Sequence, residues 1–321
     1  MKVRPYTDAD AEPWDELVGR SACGTFLHTR RFQCYHGGRF EDVSVLCEDG
    51  KGRIIGVFPA ARKPDDRSCV VSHPGATYGG LIHEQDLGAG DVEEMIGDIV
   101  LHYRSQGFGR LDYKSVPPLF HSVFCQSDLQ AIWKLGGVVA RRDLWNVVTL
   151  GCRPRYSSHH VRAIGRARKC GVAVEIADTA KSYRGFHGIL EERLADRYGV
   201  APVHSLEEML MLRERFPESI ALWLARDSAG QVVAGTWLFM IGKRVWHTQY
   251  IASTAQGRDL CATHLLFDGI IRQAERRGVG FVSFGCSSED DGRRLNRGLF
   301  AFKSGFVAGA VCHDTYHITV T

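Results

Sequence analysis

Three apolar runs followed by a long helix dominate the second half of the sequence. The runs 219–226, Val232–Ile241 and Val245–Ser253 are rich in β-branched and aromatic residues, and only short turn segments (SAGQ and GK) separate them. They are therefore predicted to form a three-stranded antiparallel meander. A helix is predicted over 259–277 because apolar residues recur there at steps of three and four, and the run 281–285 (FVSFG) is predicted as a further buried strand. This order restricts the second half to an α+β domain.

Composition narrows the class of protein. With 321 residues, 44% of them hydrophobic and 24% charged, the chain has enough core for one large or two ordinary globular domains. Its ten cysteines are scattered without a CxxC pair, which favours a reduced cytoplasmic protein over a zinc centre or a disulfide framework. No apolar run approaches the roughly 20 residues that span a bilayer, and no apolar signal segment opens the chain, so neither membrane insertion nor export is expected. A net charge of +3 is too small to predict a nucleic-acid partner by itself, and no DNA partner is expected.

The first half shows the same order of elements as the second: a meander, one long helix and a strand. Two tandem α+β domains, 1–150 and 151–321, are therefore the simplest architecture, each with a mixed or antiparallel sheet flanked by helices. A cleft between the domains is the default place for a substrate. The elements predicted for the first domain are strands at 2–6, 42–47, 54–61, 69–82, 110–116 and 138–150, and helices after residue 8 or 10 and at 25–40, 91–107 and 128–135. The remaining elements predicted for the second domain are helices at 161–169, Ala180–Tyr198, Leu206–Arg215 and 296–302, and strands at 172–176 and 311–320.

A basic segment opens the predicted second domain. No acidic residue occurs between Asp143 and Glu175. Arg162, Arg166 and Lys169 fall on one helix face at i, i+4 and i+7. Uncompensated charge of one sign predicts an anionic partner such as phosphate, pyrophosphate or an RNA end, and a solvated basic helix is the alternative. The six basic residues of the segment are Arg153, Arg155, Arg162, Arg166, Arg168 and Lys169.

The segment 72–80 (SHPGATYGG) places three glycines and a proline inside an apolar run. Glycine and proline weaken a strand, so their presence within this run requires an explanation. One reason is close approach of the backbone to a ligand, with His73, Thr77 and Tyr78 lining the site. A bulged strand at the domain interface is the other.

Lys303 stands in an otherwise apolar, aromatic and glycine-rich run, 296–306 (NRGLFAFKSGF). A lysine in such surroundings can hold a developing oxyanion or a carboxylate in a site of low dielectric constant. The alternative is a lysine whose ammonium reaches water from a core helix.

Seven segments follow one another along nearly the whole chain: TFLHTRRF, IIGVFPAA, SHPGATYGGL, RAIGRARKCGV, WHTQYIAST, FGCSSEDDG and LNRGLFAFKSGF. Together they resemble the Fem-type branch of the GNAT acyltransferase superfamily, in which two GNAT-like domains are fused. The resemblance implies formation of an amide by transfer of an acyl group to an amine. The best-known members take an aminoacyl group from aminoacyl-tRNA and add it to a peptidoglycan precursor, and relatives add amino acids to small antibiotic precursors.

The resemblance assigns roles to residues of both predicted domains. The family's Phe-Lys pair matches Phe302 and Lys303, which implies contact with the 3′ end of tRNA and oxyanion stabilisation. The family's basic helix, which holds phosphates of the acceptor, matches Arg162, Arg166 and Lys169.

A first-domain lysine of the family, which helps to hold the same phosphate, falls near His36. This departure favours a small-molecule amine over a nucleotide-linked muropeptide as the acceptor. Lys114, in the strand RLDYKSV, and Tyr250, in WHTQYIAST, are also assigned to substrate binding.

A Gly-containing loop precedes the long helix of the second domain, and a helix N-terminus of this kind can bind an anion. In GNAT enzymes the corresponding loop (R/Q-x-x-G-x-G/A) holds the pyrophosphate of coenzyme A with its amides. This similarity assigns Gly257, Arg258 and Ala262 to donor binding. Leu260 stands where the family has a glycine, which weakens the expectation of coenzyme A.

The mechanism implied is direct transfer from aminoacyl-tRNA as co-substrate, without a metal, a cofactor or a covalent intermediate. Proximity and orientation supply on the order of 7–11 kcal/mol in well-oriented reactions, and Lys303 would stabilise the tetrahedral oxyanion. Asp112 and His73 are the candidates for a general base, although Asp112 could equally be a structural acid at a strand end.

Two alternatives remain open. The first is an acyl-CoA-dependent N-acyltransferase that acts on an amino sugar or an amino acid. The second is a two-domain module that binds RNA or a sugar phosphate without turnover.

Overall fold

The chain folds into two units, each with its own hydrophobic core. The structure is a computed structural model, and it describes residues 1–152 and 155–320, apart from the side chain of Tyr198. The N-terminal unit comprises Met1–Asp143, Glu289–Arg294 and Cys312–Thr321, and the C-terminal unit comprises Leu144–Ser288 and Leu295–Val311.

The end of the chain returns to the N-terminal unit, whereas the sequence placed everything after residue 150 in the second domain. The reason is strand pairing, because Thr315–Thr319 run antiparallel to Arg110–Lys114. The change from one unit to the other falls at residues 143–144.

The first eleven α-helices and β-strands belong to the N-terminal unit, and the twelfth begins in it. Short 3₁₀ turns occur at Asp8–Asp10, Phe26–His28, Cys34–Arg39 and Pro118–Phe120. The strands are β1 (Lys2–Pro5), β2 (Val45–Glu48), β3 (Ile54–Phe58), β4 (Ala61–Lys63), β5 (Asp66–Val71), β6 (Ile82–His83), β7 (Arg110–Lys114) and β8 (Val138–Thr149). The helices are α1 (Ala11–Arg20), α2 (Arg30–Gln33), α3 (Ala89–Ser105) and α4 (Ser127–Lys134).

Two predicted elements of the N-terminal unit are interrupted. The predicted helix at 25–40 consists of two 3₁₀ turns and the four-residue helix α2, because Thr25 and Thr29 are extended and begin new turns. The predicted strand at 69–82 ends at Val71 and resumes only at Ile82. The segment between them is the Gly-rich stretch 72–80, in which His73 has a left-handed φ of 56°.

The remaining elements follow in the second half of the chain. The helices are α5 (Ser158–Lys169), α6 (Ala180–Tyr198), α7 (Leu206–Arg215), α8 (Ala255–Asp259), α9 (Ala262–Arg276) and α10 (Arg297–Ser304). The strands are β9 (Ala173–Ala177), β10 (Ile220–Arg226), β11 (Val232–Ile241), β12 (Val245–Ser253), β13 (Phe281–Cys286), β14 (Ser288–Glu289), β15 (Arg294–Leu295) and β16 (Gly309–Thr319).

The predicted meander is confirmed. Strands β10, β11 and β12 pair antiparallel in sequence order, and β9 adds to the outer edge of β10. Strand β13 adds to the other side of β12 in parallel, after the crossover through α9, and residues 145–149 of β8 pair antiparallel with β13. The fold is therefore mixed α/β, with sheets flanked by helices, as predicted.

Helix α9 forms the centre of the C-terminal core. Its apolar residues recur at steps of three and four and include Leu266, Ile270 and Ala274, each fully buried. Burial of a leucine or isoleucine side chain contributes roughly 1.5–3 kcal/mol. The helix begins at Ala262, three residues later than predicted, because Cys261 adopts a left-handed conformation (φ 57°) that separates α9 from the short helix α8.

Candidate functional site

Strands β12 and β13 part in the middle of the C-terminal sheet. Their parallel pairing extends over three residue pairs, from Val245 and Phe281 to His247 and Ser283. Beyond this point β12 continues beside β11 to Ser253, while β13 continues beside β8. Because each strand stays with its outer neighbour, the separation leaves a gap in the sheet at the ends of both strands.

A β-bulge lies where β13 leaves β12. The register of β13 against β8 shifts between Ser283 and Gly285, so that one extra residue is accommodated. Gly285 adopts φ 65°, which glycine reaches without the steric cost that a side chain adds. The bulge therefore redirects the backbone carbonyls at the end of β13.

Lys303 of α10 reaches these carbonyls. Its Nζ donates to Gly285 O (3.1 Å) and to Cys286 O (2.6 Å), and the residue is only 2% exposed. Burial lowers the pKa of Lys303 to about 8. Among the described residues no carboxylate pairs with this ammonium, and no third acceptor takes its remaining N–H. A lysine has three donors, so one N–H of Lys303 has no acceptor among the described residues.

A histidine of β12 lies beside the bulge. The Nδ1 atom of His247 is 3.1 Å from Ser283 Oγ, and its ring stacks on that of Trp145 at 5.1 Å. Ser283 Oγ also accepts the N–H of Gly285 at 3.3 Å. These contacts fix the imidazole next to the carbonyl that holds Lys303.

A buried amide secures the other side of α10. Asn146 is fully buried and accepts a hydrogen bond from Ser287 Oγ at 2.7 Å. Its Nδ2 atom donates to Ser304 Oγ, next to Lys303, at 3.4 Å. Sequence reasoning missed Asn146, His247 and Ser283, because nothing in a single local segment indicates that residues so far apart in the chain meet.

The other member of the predicted Phe-Lys pair is partly buried. The Phe302 ring packs against His264 at 5.0 Å and against Phe306 at 5.6 Å. Its backbone carbonyl accepts a hydrogen bond from His160 Nε2 at 2.8 Å. Phe302 thus joins α10 to the first turns of α5 and α9.

The basic helix is α5. Arg162, Arg166 and Lys169 are exposed on it, and no described residue forms an ion pair with them. Arg168 differs, because it pairs with the buried Asp268 of α9 at 2.7 Å, so this charge has a counter-charge that the sequence did not indicate. Arg155 is exposed, and Arg153 lies outside the described residues.

Tyr250 lies on β12 beyond the point where β12 leaves β13. Its hydroxyl group is 2.7 Å from His204 Nδ1, and its ring stacks at 6.0 Å on the buried Trp237. The half-buried side chain is therefore held in place by the fold, on the strand that borders the gap.

The predicted donor-binding loop uses its amides internally. Gly257 N donates to Thr254 Oγ1 at 3.0 Å, and Arg258 N donates to Thr254 O at 3.1 Å. Gly257 also lies so close to β11 that a Cβ atom would be 2.0 Å from Val233 O. Ala262 is fully buried in the core, whereas the side chain of Arg258 is exposed.

In the N-terminal unit, His73 and Lys114 lie together. Lys114 Nζ donates to His73 O at 3.4 Å and to Ala76 O, and burial lowers its pKa to about 8. His73 is buried, and its Nδ1 atom has no hydrogen-bond partner among the described residues. Burial, with repulsion from His36 and Lys114, holds the pKa of His73 well below its usual value.

The glycines of 72–80 are needed for close contacts within the chain. A Cβ atom on Gly75 would lie 2.2 Å from His36 Nε2, and one on Gly79 would lie 2.2 Å from Ser72 O. The buried His36 is held through Nδ1 by Gln33 O at 2.9 Å. His36 therefore packs beneath this loop.

The two other residues predicted to line the loop differ in burial. Tyr78 is 1% exposed, its hydroxyl group donates to Thr25 Oγ1 at 3.2 Å, and its ring packs 4.6 Å from that of Phe120. Tyr78 is therefore a core residue. Thr77 is half-buried.

Gly75→Ala is expected to lower the free energy of unfolding by about 1–3 kcal/mol, because the new methyl group overlaps the His36 and Phe40 rings. Gly38→Ala is the matched control, since a Cβ atom there meets nothing within 4 Å. Urea denaturation of both variants measures the difference. Equal urea midpoints would show that the loop accommodates the methyl group without loss of stability.

Asp112 is surrounded by basic side chains. Its carboxylate lies 2.8 Å from Arg110 Nε, 3.6 Å from Lys63 Nζ and 3.3 Å from His317 Nε2. This arrangement favours the structural alternative over a general base. Asp143, which the sequence did not single out, leaves its buried Oδ1 atom without a partner among the described residues.

Comparison with known proteins agrees with the fold. Residues 155–302 match the family described as acetyltransferase (GNAT) domain. The crystal structure of FemX is similar with a TM-score of 0.67 and 12% identity, over 99% of this chain and 97% of that one. The C-terminal domain of a protein from Agrobacterium fabrum, described as a lysylphosphatidylglycerol synthetase, is similar with a TM-score of 0.62 and 11% identity, over 98% of this chain and 92% of that one. A tandem GNAT protein from the clavulanic acid biosynthesis pathway is similar with a TM-score of 0.53 and 11% identity, over 100% of this chain and 98% of that one.

No curated protein matches the chain in sequence. The GNAT match covers most of the unit that contains the parted strands and ends at Phe302, next to Lys303. Residues 155–302 are therefore similar to the acetyltransferase (GNAT) domain family. The overall fold is similar to that of FemX, in agreement with the resemblance found in the sequence. None of the described helices combines the length and apolar character needed to span a membrane.

Proposed function

We propose that the protein transfers an aminoacyl group from aminoacyl-tRNA to the amine of a small molecule and so forms an amide bond. The single observation that carries the proposal is the Lys303 ammonium, which is buried, has no carboxylate partner among the described residues and keeps one N–H uncommitted. A buried charge without a counter-ion is costly, so its retention suggests a role for the charge.

The chemistry that suits this ammonium is acyl transfer. Attack of an amine on an ester carbonyl produces a tetrahedral intermediate with a negative oxygen, which a preorganised donor stabilises. The remaining Lys303 N–H would donate to that oxygen, while Gly285 O and Cys286 O hold Nζ in place. The intermediate then collapses with loss of the ribose hydroxyl group of tRNA, and the amine loses its proton to a base or to water.

Transfer RNA is favoured over coenzyme A as the carrier by the loop before α9. The amides of Gly257 and Arg258 donate to Thr254, and the amides of Leu260 and Cys261 donate to Gln256 O and Arg258 O. Four amides of the loop are therefore committed within the chain and do not offer donors to a pyrophosphate. The exposed basic face of α5, in contrast, suits a polyanion.

The experiment that tests the proposal compares the two carriers directly. The purified protein is incubated with total tRNA charged with labelled amino acids, or with acetyl-CoA, and with a panel of small amines. Mass spectrometry is expected to detect an aminoacyl amide only with charged tRNA, and ribonuclease treatment should abolish it. Acetylated amines formed from coenzyme A would support the alternative acyl-CoA-dependent enzyme. No product with either carrier, together with retained RNA binding, would support the binding module.

Arg162→Gln with Arg166→Gln is expected to weaken tRNA binding and to make it less dependent on salt. Each phosphate contact contributes a slope of about 0.7–0.9 in log K against log salt, so loss of two contacts reduces the slope by about 1.4–1.8. Filter binding over a range of salt concentrations measures this.

Lys181→Gln with Arg184→Gln is the matched control, because both residues are exposed on α6 of the same unit and the net charge changes equally. If the two double variants showed the same slope, α5 would have no particular part in binding RNA.

A further inference from the structure

Three histidines of the C-terminal unit converge beside Phe302. His159 and His160 lie in the first turn of α5, and His264 lies in the first turn of α9. One ring nitrogen of each can be chosen so that all three nitrogens lie within 4.8 Å of one another. From this cluster we propose that His159, His160 and His264 bind a divalent transition-metal ion of the zinc class, with a coordination position left open.

The His264 side chain gives the first argument. Its Nε2 atom is buried and has no hydrogen-bond partner among the described residues. Leaving a buried polar atom unpaired costs about 1–3 kcal/mol, and an ion is one of the few explanations for such an atom. Its ring lies 4.8 Å from that of His160 and 5.8 Å from that of His159.

The tautomer of His160 gives the second argument. Phe302 O can only accept a hydrogen bond, so His160 Nε2, at 2.8 Å, must carry the proton. The lone pair of this ring is then on Nδ1. A ligating histidine in proteins commonly donates its other N–H to a backbone carbonyl in this way, which fixes the orientation of the ring. Ser157 Oγ lies 3.0 Å from Nδ1, and a metal ion would replace its hydrogen bond to that atom.

The surroundings hold the rings and leave an entry path. A Cβ atom on Gly305 would be 2.0–2.5 Å from three atoms of the His160 ring, so only glycine allows this ring its position. His159 is exposed, and an ion can reach the cluster from its side. Three imidazoles without a carboxylate suit zinc, copper, nickel or cobalt and do not suit magnesium or calcium.

The proposed ion takes no part in the acyl transfer proposed above. It would join the first turns of α5 and α9 and, through the His160 hydrogen bond to Phe302 O, it would also restrain α10.

Cobalt(II) and zinc(II) added to the chelator-treated full-length protein test the site. Cobalt(II) is expected to bind at one ion per chain and to give a visible absorption typical of a low-coordinate complex with nitrogen ligands. Zinc(II) should displace the cobalt and raise the Tm of the protein. His159→Ala and His264→Ala should each weaken binding by at least about tenfold, since loss of a ligand should cost no less than loss of an outer partner. His159 is exposed and Nε2 of His264 has no partner to lose, so both variants should fold. His102→Ala, in the N-terminal unit, is the control and should bind like the wild type.

Three results would overturn the proposal: no binding of either ion at micromolar to millimolar concentration, unchanged affinity in both histidine variants, or a near-ultraviolet sulfur charge-transfer band, which would place the ion on cysteines. In a further experiment, inorganic phosphate is added in place of the metal ions and the Tm is measured. Stabilisation by phosphate alone, lost in the same variants, would make the cluster an anion site and contradict the metal assignment.

Discussion

Replacing Lys303 with Met is expected to lower kcat for acyl transfer by about 10²–10³-fold, the effect typical of removing one donor to a transition-state oxyanion. KM for the donor should change little, because the remaining N–H of Lys303 acts on a charge that exists only during the reaction. Methionine preserves the length and apolar stem of the side chain and removes only the ammonium. Steady-state rates with charged tRNA and an accepted amine measure the effect.

Lys243→Met is the matched control, since Lys243 is exposed in the same unit. It should leave both constants unchanged. The role of Lys303 would be refuted if its variant kept full kcat while folded, or if the loss appeared in KM alone.

The stability of the protein is expected to depend on pH through the same side chain. Burial lowers the pKa of Lys303 to about 8 in the folded protein, compared with 10.5 for an unperturbed lysine. Between these values the unfolded chain binds the proton that the folded chain has released. The free energy of unfolding therefore rises with pH over this window, by about 3 kcal/mol in total for this group.

The measurement compares the wild type with Lys303→Met by urea denaturation at pH 7 and at pH 10.5. Groups that titrate in both proteins cancel in the difference, and the wild type should gain about 3 kcal/mol relative to the variant between the two pH values. If the free energy of unfolding changed equally in both proteins between the two pH values, Lys303 would have an ordinary pKa and would not be held in a site of low dielectric constant.

Local periodicity made much of the C-terminal fold predictable. The strands of the meander and helix α9 are encoded by β-branched runs and by apolar residues at helical steps, and these signals lie within short segments. Lys303 could be found for a similar reason, because a charge inside an apolar, aromatic run is conspicuous.

The surroundings of Lys303 could not be predicted, because they come from distant segments. The parting of β12 from β13 is decided by the outer neighbours of each strand, and the group around His247 comes from three different strands. Likewise, the glycine at position 75 is required by His36, which no spacing rule connects to it. His159 and His264 approach each other only because α5 packs on α9.

The pH dependence of the transfer rate tests the role of the Lys303 ammonium most directly. Single-turnover rates are measured with charged tRNA and an acceptor amine whose own pKa lies well below 7, so that the acceptor stays neutral throughout. Oxyanion stabilisation by Lys303 predicts a rate that is constant below pH 8 and falls above it with an apparent pKa of about 8, and it predicts no such fall in Lys303→Met. A wild-type rate that stays level or rises through pH 9.5 would contradict it.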